Sequence, residues 1–574
     1  MSSPQPRATG SVASHATTAG TYPQRWKALG VLVVGLLVVI LDNTILNVAL
    51  PTLVLRLKAS TEELQWIVDS YAMVFGGILL VCGSLADRFG RRKLFIIGLA
   101  VFGAGSVGAS FSGSVDPLIA WRAVMGAGAA ATIPSGLSIV NDLFRQPAER
   151  SRAVGIWSGT IGLGIAVGPL AGGLLLSRFW WGSIFLVNIP VVVVGIVGAL
   201  LVVPESRDHA AGRPDPIGAV LAVTGLSLVL WAIIEGPTHG WLSRSVLGAT
   251  LTGAAVITVF MVWEHRSDHP MLPLRFFRSR RFSIAVAAVA LGVFALLGGL
   301  FIQTQYLQFA LGYSPLKAGL CILPIAGVLA AGALTSTLVV SAIGTRFTAA
   351  GGLVLIAAGL IQIAAVSTVT TSYAQVLPGM LLMGLGAGLL MPSATDSVLS
   401  TLTQDDAGVG SATNSTAIQV GGALGVAVVG SVLSSTFQGT LTPALAGHHV
   451  PKVAVQTILG SLGGALAVAR LAGGALGAGL AHLARVGFAI GSHRSLLVAG
   501  VVTGAGAILV LAAFPASAPP GGSDPQPSGP QDDDPEPSRQ DQATQMASIA
   551  EPGVADVDGE PRHDRAVDAS DPWP

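Results

Sequence analysis

The sequence predicts an all-α polytopic membrane protein, and three observations carry that prediction. Only 11% of the 574 residues are charged and 51% are hydrophobic, whereas a soluble chain carries about 25% charged residues. The apolar residues fall into fourteen runs near the ~20-residue length that crosses a hydrocarbon core. Lys and Arg are unevenly shared between the loops joining those runs. This balance excludes a soluble multidomain enzyme, a nucleic-acid binder and a disordered scaffold. Cys82 and Cys321 both lie inside apolar runs, which supports neither a disulfide framework nor a cysteine metal site. The 73 glycines suit helices that pack backbone to backbone in lipid.

In chain order the apolar runs lie near 29–50, 64–85, 94–112, 117–140, 153–176, 181–203, 216–235 and 246–263. Six more follow near 282–308, 316–343, 347–367, 374–400, 408–434 and 495–514. The first run is kept as a span because residues 1–28 are polar and lack a cleavable leader's apolar core. The stretch 453–469 is uncharged but built of Ala and Gly, whose transfer energy per turn is small. It is therefore expected to be an interfacial helix within an extracytoplasmic loop. After Phe514 the chain turns rich in Pro, Ser, Gly, Gln and Asp, a composition too poor in apolar residues to fold.

Orientation follows from the cations. One set of loops holds 18 Lys and Arg, including Arg25, Lys27, Arg88, Arg91, Arg92, Arg150, Arg266 and Arg346. The opposite short loops hold five: Arg56, Lys58, Arg178, Arg244 and Lys317. This bias predicts that both termini are cytoplasmic. The formal net charge of +1 hides a contrast, because residues 515–574 carry 13 acids and 3 bases while residues 1–514 carry 17 acids and 28 bases.

The loop after the second run reads Gly83-Ser84-Leu85-Ala86-Asp87-Arg88-Phe89-Gly90-Arg91-Arg92. Membrane anchoring alone would need the arginines, but not a carboxylate and two glycines at that spacing. Asp87 among fixed cations at two helix ends suits a latch that forms in one state and opens in another. This G-x-x-x-D-R-x-G-R-R string resembles the signature loop of the major facilitator superfamily.

The first run contains Leu41-Asp42-Asn43-Thr44-Ile45-Leu46-Asn47-Val48-Ala49-Leu50-Pro51. A carboxylate within a membrane helix costs roughly 3 kcal/mol or more and marks a functional site. Asn43 and Asn47 share a helix face beside it, so the stripe must meet a partner or a cavity. The string is similar to the first-helix motif of the 14-helix drug:proton antiporters, with Leu46 for the usual valine. In the fourth run Arg122 heads an R-x-x-x-G-x-G pattern with Gly126 and Gly128. A buried arginine stays charged, and the resemblance assigns this one to proton coupling with Asp42. The fifth run carries Gly155, Gly164, Gly168, Pro169, Gly172 and Gly173, a string resembling the antiporter motif that packs and kinks the helix sealing the extracytoplasmic side.

Other strings are weaker. Trp180 to Pro190 resembles the aromatic-arginine-aromatic opening of these antiporters, but has no arginine between its aromatics. The last runs supply Asp396, Asn414 and Gln419 in a glycine-rich frame, with Ser415 and Ile418 where relatives often carry a charged pair. Proton coupling is thus expected to rest on the first half. The stretch VVSAIGTRFTAAGG, with Gly344 and Arg346, is a worn copy of the signature loop at the equivalent place in the second half. Asn43, Asn47, Gln305, Tyr306, Gln308, Asn414 and Gln419 are candidate cavity-lining residues, while Asp69, Tyr71, Glu235 and Gln303 are further polar groups within or near spans. No Walker loop is present, and the pair His448/His449 is too isolated to argue for a metal, so no cofactor and no metal are expected.

The resemblance implies a major facilitator fold of 14 transmembrane helices, two six-helix bundles plus two extra central helices. The expected organisation is a cytoplasmic tail over 1–28, a first bundle over 29–203 and two inserted helices with a cytoplasmic linker over 204–281. A second bundle over 282–514 follows, with an extracytoplasmic loop over 437–493, and then a disordered acidic cytoplasmic tail over 515–574. The implied function is proton-coupled export of small amphipathic drugs or antibiotics across the cytoplasmic membrane by alternating access. Protons, the organic substrate and the lipid bilayer are the expected partners, and nucleic acid is not. Two rival readings remain open: a dedicated self-resistance exporter of one secondary metabolite, and a non-transporting receptor or scaffold of the same fold.

Overall fold

Short polar residues start many of the long helices. Ser60 accepts from the Glu63 amide while Glu63 reaches back to the Ser60 amide, and Ser372 and Gln375 form the same reciprocal box. Ser243, Ser279 and Ser314 cap three more helices, and Asp215 caps another with Pro216 behind it at the first helical position. Each cap satisfies an amide that the apolar run beyond it cannot.

The computed structural model describes residues 22–515 except 145, 208–214, 268–269, 271, 273, 403–406 and 447–449. The tails expected over 1–28 and 515–574 therefore lie outside the described residues, apart from 22–28 and 515, as do His448 and His449. The helices are α1 (Arg25–Leu57), α2 (Thr61–Phe89), α3 (Arg91–Ser110), α4 (Val115–Leu143), α5 (Pro147–Arg178), α6 (Ser183–Leu186) and α7 (Asn188–Val202). Then come α8 (Pro216–His239), α9 (Arg244–Arg266), α10 (Arg280–Gln305), α11 (Pro315–Ile343), α12 (Thr345–Val366) and α13 (Tyr373–Leu399). The last are α14 (Ala407–Leu445), α15 (Lys452–Gly460), α16 (Leu462–Ala472) and α17 (Gly474–Ala513). Thirteen helices are long and apolar enough to cross a membrane, and α2, bent by 52° between Leu79 and Val81, makes a fourteenth. The chain is an all-α multi-pass membrane protein.

The packing partners expose an internal repeat. In the first half α1 packs on α5, α3 on α4, α2 on α4, and α7 on α1 and α3. In the second half α10 packs on α14, α12 on α13, α11 on α13, and α17 on α10 and α12. These are the same contacts with each helix replaced by its counterpart, giving two six-helix bundles. Two seams join the bundles, α2 against α14 and α5 against α11, and the repeat exchanges one seam for the other. The inserted pair α8–α9 sits beside the first seam, with α8 touching both α2 and α14.

The repeat reaches the turns. Gly90 links α2 to α3 at φ +118°, and Gly344 links α11 to α12 at φ +83°. Both need glycine because a side chain is strained at positive φ. The worn copy of the signature loop has thus kept the residue that its backbone requires.

Two segments differ from the sequence prediction. The sixth span is broken into the four-residue α6 and the longer α7, with Val187 between them and Asn188 opening α7. Residues 437–445 and 474–493, expected in a loop, are helical and extend α14 and α17. Small residues lower the transfer energy of such stretches, but they do not prevent helix formation when tertiary contacts are available. Between those helices, α15 and α16 are nine and eleven residues long, too short to span. They lie on the α1–α2 turn: the Thr61 hydroxyl donates to the Gly460 carbonyl at 3.0 Å, and Gly463 packs on Val54 and Phe309.

Gly90→Ala would bring a methyl within 2.7 Å of the Glu205 carboxylate at a φ reserved for glycine. Its cost is expected to be about 1–3 kcal/mol. Gly83→Ala, with open space around it, should leave stability unchanged or slightly raised, and thermal unfolding of the detergent-purified pair measures the contrast.

Candidate functional site

Asp42 lies midway along α1 and Arg122 two turns into α4. Both are buried, at 1% and 0% exposure, and Arg122 heads the largest fully buried side chains among the described residues. One guanidinium nitrogen, Nη1, donates to Asp42 Oδ2 at 2.5 Å. Nε donates to the Ile67 carbonyl of α2 at 3.1 Å, and Nη2 points at Asn43 Oδ1 at 3.5 Å. The guanidinium also lies over the Tyr71 ring, 4.4 Å from its centre, a cation–π contact that desolvation strengthens. The other carboxylate oxygen, Oδ1, accepts from Asn188 Nδ2 at 2.9 Å, and the same amide group reaches the Ser106 hydroxyl at 3.2 Å. Five elements (α1, α2, α3, α4 and the start of α7) therefore converge on one ion pair.

The sequence pointed to Asp42, Arg122 and Asn43, which the fold brings together. It did not single out Asn188, Ser106 or the Tyr71 ring as parts of this cluster. Asn188 stood in view next to Ile189-Pro190, where a break in the sixth span frees a polar side chain. Nothing local says that the side chain turns toward α1. Asn47 donates to the Asn43 carbonyl at 3.0 Å, one turn from the pair.

The glycine string positions α1. Thr44 donates to the Gly164 carbonyl at 3.1 Å, and a methyl on Gly164 would come within 2.5 Å of Ile40 Cγ2. A methyl on Gly168 would strike the Thr44 hydroxyl, and one on Gly172 would press on Ile45. Hence α5 lies backbone-close to the face of α1 adjoining Asp42. Beyond it α5 reaches the second bundle: a methyl on Gly173 would meet Leu316 Cα at 2.7 Å, and one on Gly319 would strike the Pro169 carbonyl. Gly155 has nothing within 4 Å and is exposed, so it does not join this packing surface.

The signature loop forms a network at the end of the molecule that carries most of the loop cations. Arg91 Nε donates to Asp87 Oδ1 at 2.7 Å, and Arg91 also pairs with Asp142 at the end of α4. The Arg92 amide donates to Glu205 Oε1 at 3.1 Å and its guanidinium to the Val203 carbonyl at 3.1 Å. Arg25 binds Glu149 through two nitrogens at 3.0 and 2.9 Å. Arg88 is exposed over Phe89. These pairs lie within the first bundle and the stretch that follows it.

At the opposite end hydrogen bonds cross between the bundles. Gln65 Nε2 donates to the carbonyls of Val426 and Ala427 at 3.2 and 2.7 Å. Glu62 Oε1 accepts from Ser434 and Gln438 of α14 and from Thr238 of α8. Gln308, in a π-helical turn at Tyr306–Ala310, donates to the Val48 carbonyl of α1 at 2.9 Å. The remaining candidate lining residues are dispersed. Gln305 bonds back to Phe301, Tyr306 reaches the Thr368 carbonyl, Asn414 donates to Thr395, and Gln419 packs on Gly76.

Paired bundles related by an internal repeat, with a buried ion pair in the first and two exchangeable seams, define a membrane transporter. The chain belongs to the Major Facilitator Superfamily, whose profile matches residues 32–426. It is 32% identical to the multidrug efflux pump LfrA of Mycolicibacterium smegmatis, over 87% of this chain and 98% of that protein. It is likewise 32% identical to the tetracenomycin C resistance and export protein of Streptomyces glaucescens, covering 77% of this chain and 82% of that one. Among solved structures, the bacterial homologue of the human lysosomal transporter Spinster in its inward-facing, unoccupied conformation superposes with a TM-score of 0.61. It is 19% identical and covers 86% of this chain and 98% of that one, a likeness of fold. The family's members are transporters and not enzymes, and the relatives are exporters of drugs and antibiotics.

Removing one partner of a buried pair strands the other charge at a cost of about 3–5 kcal/mol. Arg122→Leu should therefore lower stability by that order. Asp42→Asn combined with Arg122→Leu should be more stable than Arg122→Leu alone, and a thermal-unfolding double-mutant cycle measures the difference.

Proposed function

We propose that the chain is a proton-coupled antiporter that exports small amphipathic drugs or antibiotics across the cell membrane by alternating access. The observation that carries this reading is the buried cluster of Asp42, Arg122 and Asn188. An ionisable pair inside a membrane bundle is costly to keep, and a purely structural brace could be made more cheaply by apolar packing.

The geometry supports a specific coupling. With Asp42 ionised, the guanidinium is neutralised and each carboxylate oxygen is bonded. A proton on Asp42 removes that neutralisation while Arg122 remains charged. The guanidinium must then lean on the Ile67 carbonyl, Asn43 and the Tyr71 ring, which already surround it. That shift moves α1 against α4. Since α1 is keyed to α5 through the glycine string, and α5 to α11 through Pro169 and Gly173, the displacement is passed to a bundle seam. Asp42 is loaded with a proton from outside and releases it inside, with Arg122 favouring release. Asp87 with Arg91 latches α2 to α3 at the cytoplasmic end, and Gly168 with Pro169 shapes the outer seal.

The bias of loop cations supports a cytoplasmic placement of the Arg25 and Arg91 end and of both termini. The end tied by Glu62, Gln65 and Gln308 is then outside, which makes the described conformation closed to the outside.

A second reading is a dedicated exporter of one metabolite, favoured by relatives such as the puromycin resistance protein of Streptomyces alboniger, 34% identical. Competition of a panel of dyes and antibiotics against one another for transport separates the two: mutual competition fits a multidrug pump.

In energised everted vesicles bearing the full chain, Asp42→Asn should abolish proton-driven uptake of a fluorescent amphipathic dye, and Arg122→Lys should lower it by about tenfold or more. Undiminished, gradient-driven uptake by a correctly inserted Asp42→Asn variant would sink the proton-coupling reading.

A further inference from the structure

Asp69 is fully buried, at 0% exposure, and neither of its carboxylate oxygens has a hydrogen-bond partner. Its place follows from the register of the α2–α14 seam. Glu62 meets Ser434, Gln65 bonds the Ala427 carbonyl and packs on Gly430, Met73 clusters with Ala423, and Gly76 packs on Gln419. The helices run antiparallel, one residue against one. Asp69 lies between Gln65 and Met73 on the same face, and so falls against the turn Ala423–Ala427, which is apolar and, except for the partly buried Leu424, buried.

Among the described residues no charge compensates it. α14 has no titratable residue between Gly410 and Leu445. On α8, Glu235 and His239 pair with each other at 3.3 Å. On α4, Arg122 meets Ile67 and Tyr71, which lie about half a turn of α2 away from Asp69, and it is already committed to Asp42 of α1. The cations of α3 stand at its start, at Arg91 to Lys93. On α2 itself, Glu62 is two turns away and occupied by three donors.

A bare carboxylate in a sealed apolar seam is among the costliest arrangements a protein can hold, and such a group takes up a proton instead. We propose that Asp69 is a second proton-binding site of the transporter, filled when the α2–α14 seam closes at its Glu62 end and emptied when that seam opens. The step is a proton transfer from hydronium at the opened seam to a carboxylate oxygen of Asp69: one O–H bond of hydronium breaks, leaving water, and one O–H bond forms on the carboxyl group. Asp69 is sealed in the closed seam, so its proton leaves by the route it entered. The site therefore sets the pH at which the seam closes, and does not add to the protons carried per cycle.

The proposal rests on the alternating-access reading, and its test separates the two. Cys82 and Cys321 are replaced by serine in the full chain, which is reconstituted in lipid nanodiscs with spin labels at Gly113→Cys and Thr370→Cys. Both label sites are exposed, one in each bundle. Pulsed electron resonance then gives the closed-to-open ratio across a pH series. A proton held only by the closed state changes that ratio by up to about tenfold per pH unit. The logarithmic slope should be shallower in Asp69→Asn, by up to about one proton. Asp69→Asn matches the protonated acid in shape and keeps the closed seam populated at high pH, and Asp69→Glu should restore the slope. Equal slopes for the wild type and Asp69→Asn, with two separations present, would overturn the assignment of Asp69 alone. A single separation at every pH, with and without dye, would overturn alternating access and this proposal with it.

Discussion

The buried pair of Asp42 and Arg122 is the constraint on which the first bundle is organised. Neither group can be held alone inside a membrane bundle at tolerable cost, so each fixes the other. Each also recruits the polar atoms that complete its shell: the Ile67 carbonyl for the guanidinium and the Asn188 amide for the carboxylate. The requirement reaches into the secondary structure. Asn188 opens α7 where the sixth span breaks, and the break allows its side chain to meet α1 and α3 together. The pair thus ties α1, α2, α3, α4 and α7 of the first bundle at one point.

The two bundles share a backbone plan but not a chemistry. Helix contacts, seams and the glycine turns at Gly90 and Gly344 repeat from one half to the other. Among the described residues, the buried charged side chains (Asp42, Glu62, Asp69, Arg122, Asp215 and Glu264) all precede the second bundle. The second bundle offers α2 carbonyl oxygens, hydroxyls and amides through α14, and it offers α5 close backbone contact through α11. Among the described residues, the buried side chains of the second bundle are uncharged, whereas those of the first bundle include an ion pair. The inserted helix α8 lies across the α2–α14 seam, with Thr238 on Glu62 and the Ile233 carbonyl accepting from Ser431. It touches both bundles where they meet.

Much of this was legible in the sequence where one physical rule dominates. Long apolar runs gave the spans, and a carboxylate and an arginine within such runs marked Asp42 and Arg122, whereas the glycine string did not name α1 as the partner of α5. What escaped the sequence depends on distance in the fold. Asn188 has no local feature that names Asp42, 146 residues away, as its acceptor. Asp69 resembles any polar residue near a span until the register of α14 shows that nothing charged opposes it. Gly155 fits the spacing of the glycine string yet packs on nothing, because sequence spacing does not say where α5 leaves α1. The extended ends of α14 and α17 were obscured by their Ala and Gly, which carry too little transfer energy to register as spans but accept helical geometry readily.

In the proposed proton-coupled antiport, one carboxylate alternates between a proton and Arg122 as substrate comes and goes. Proton release from the purified protein measures this without vesicles or gradients. Full-length protein in weakly buffered detergent solution is titrated with an amphipathic dye while a pH indicator records released protons. Saturable release that follows dye binding is expected from the wild type and should be lost in Asp42→Asn. Saturable dye binding with no proton release from the wild type, or the same release from Asp42→Asn, would contradict it.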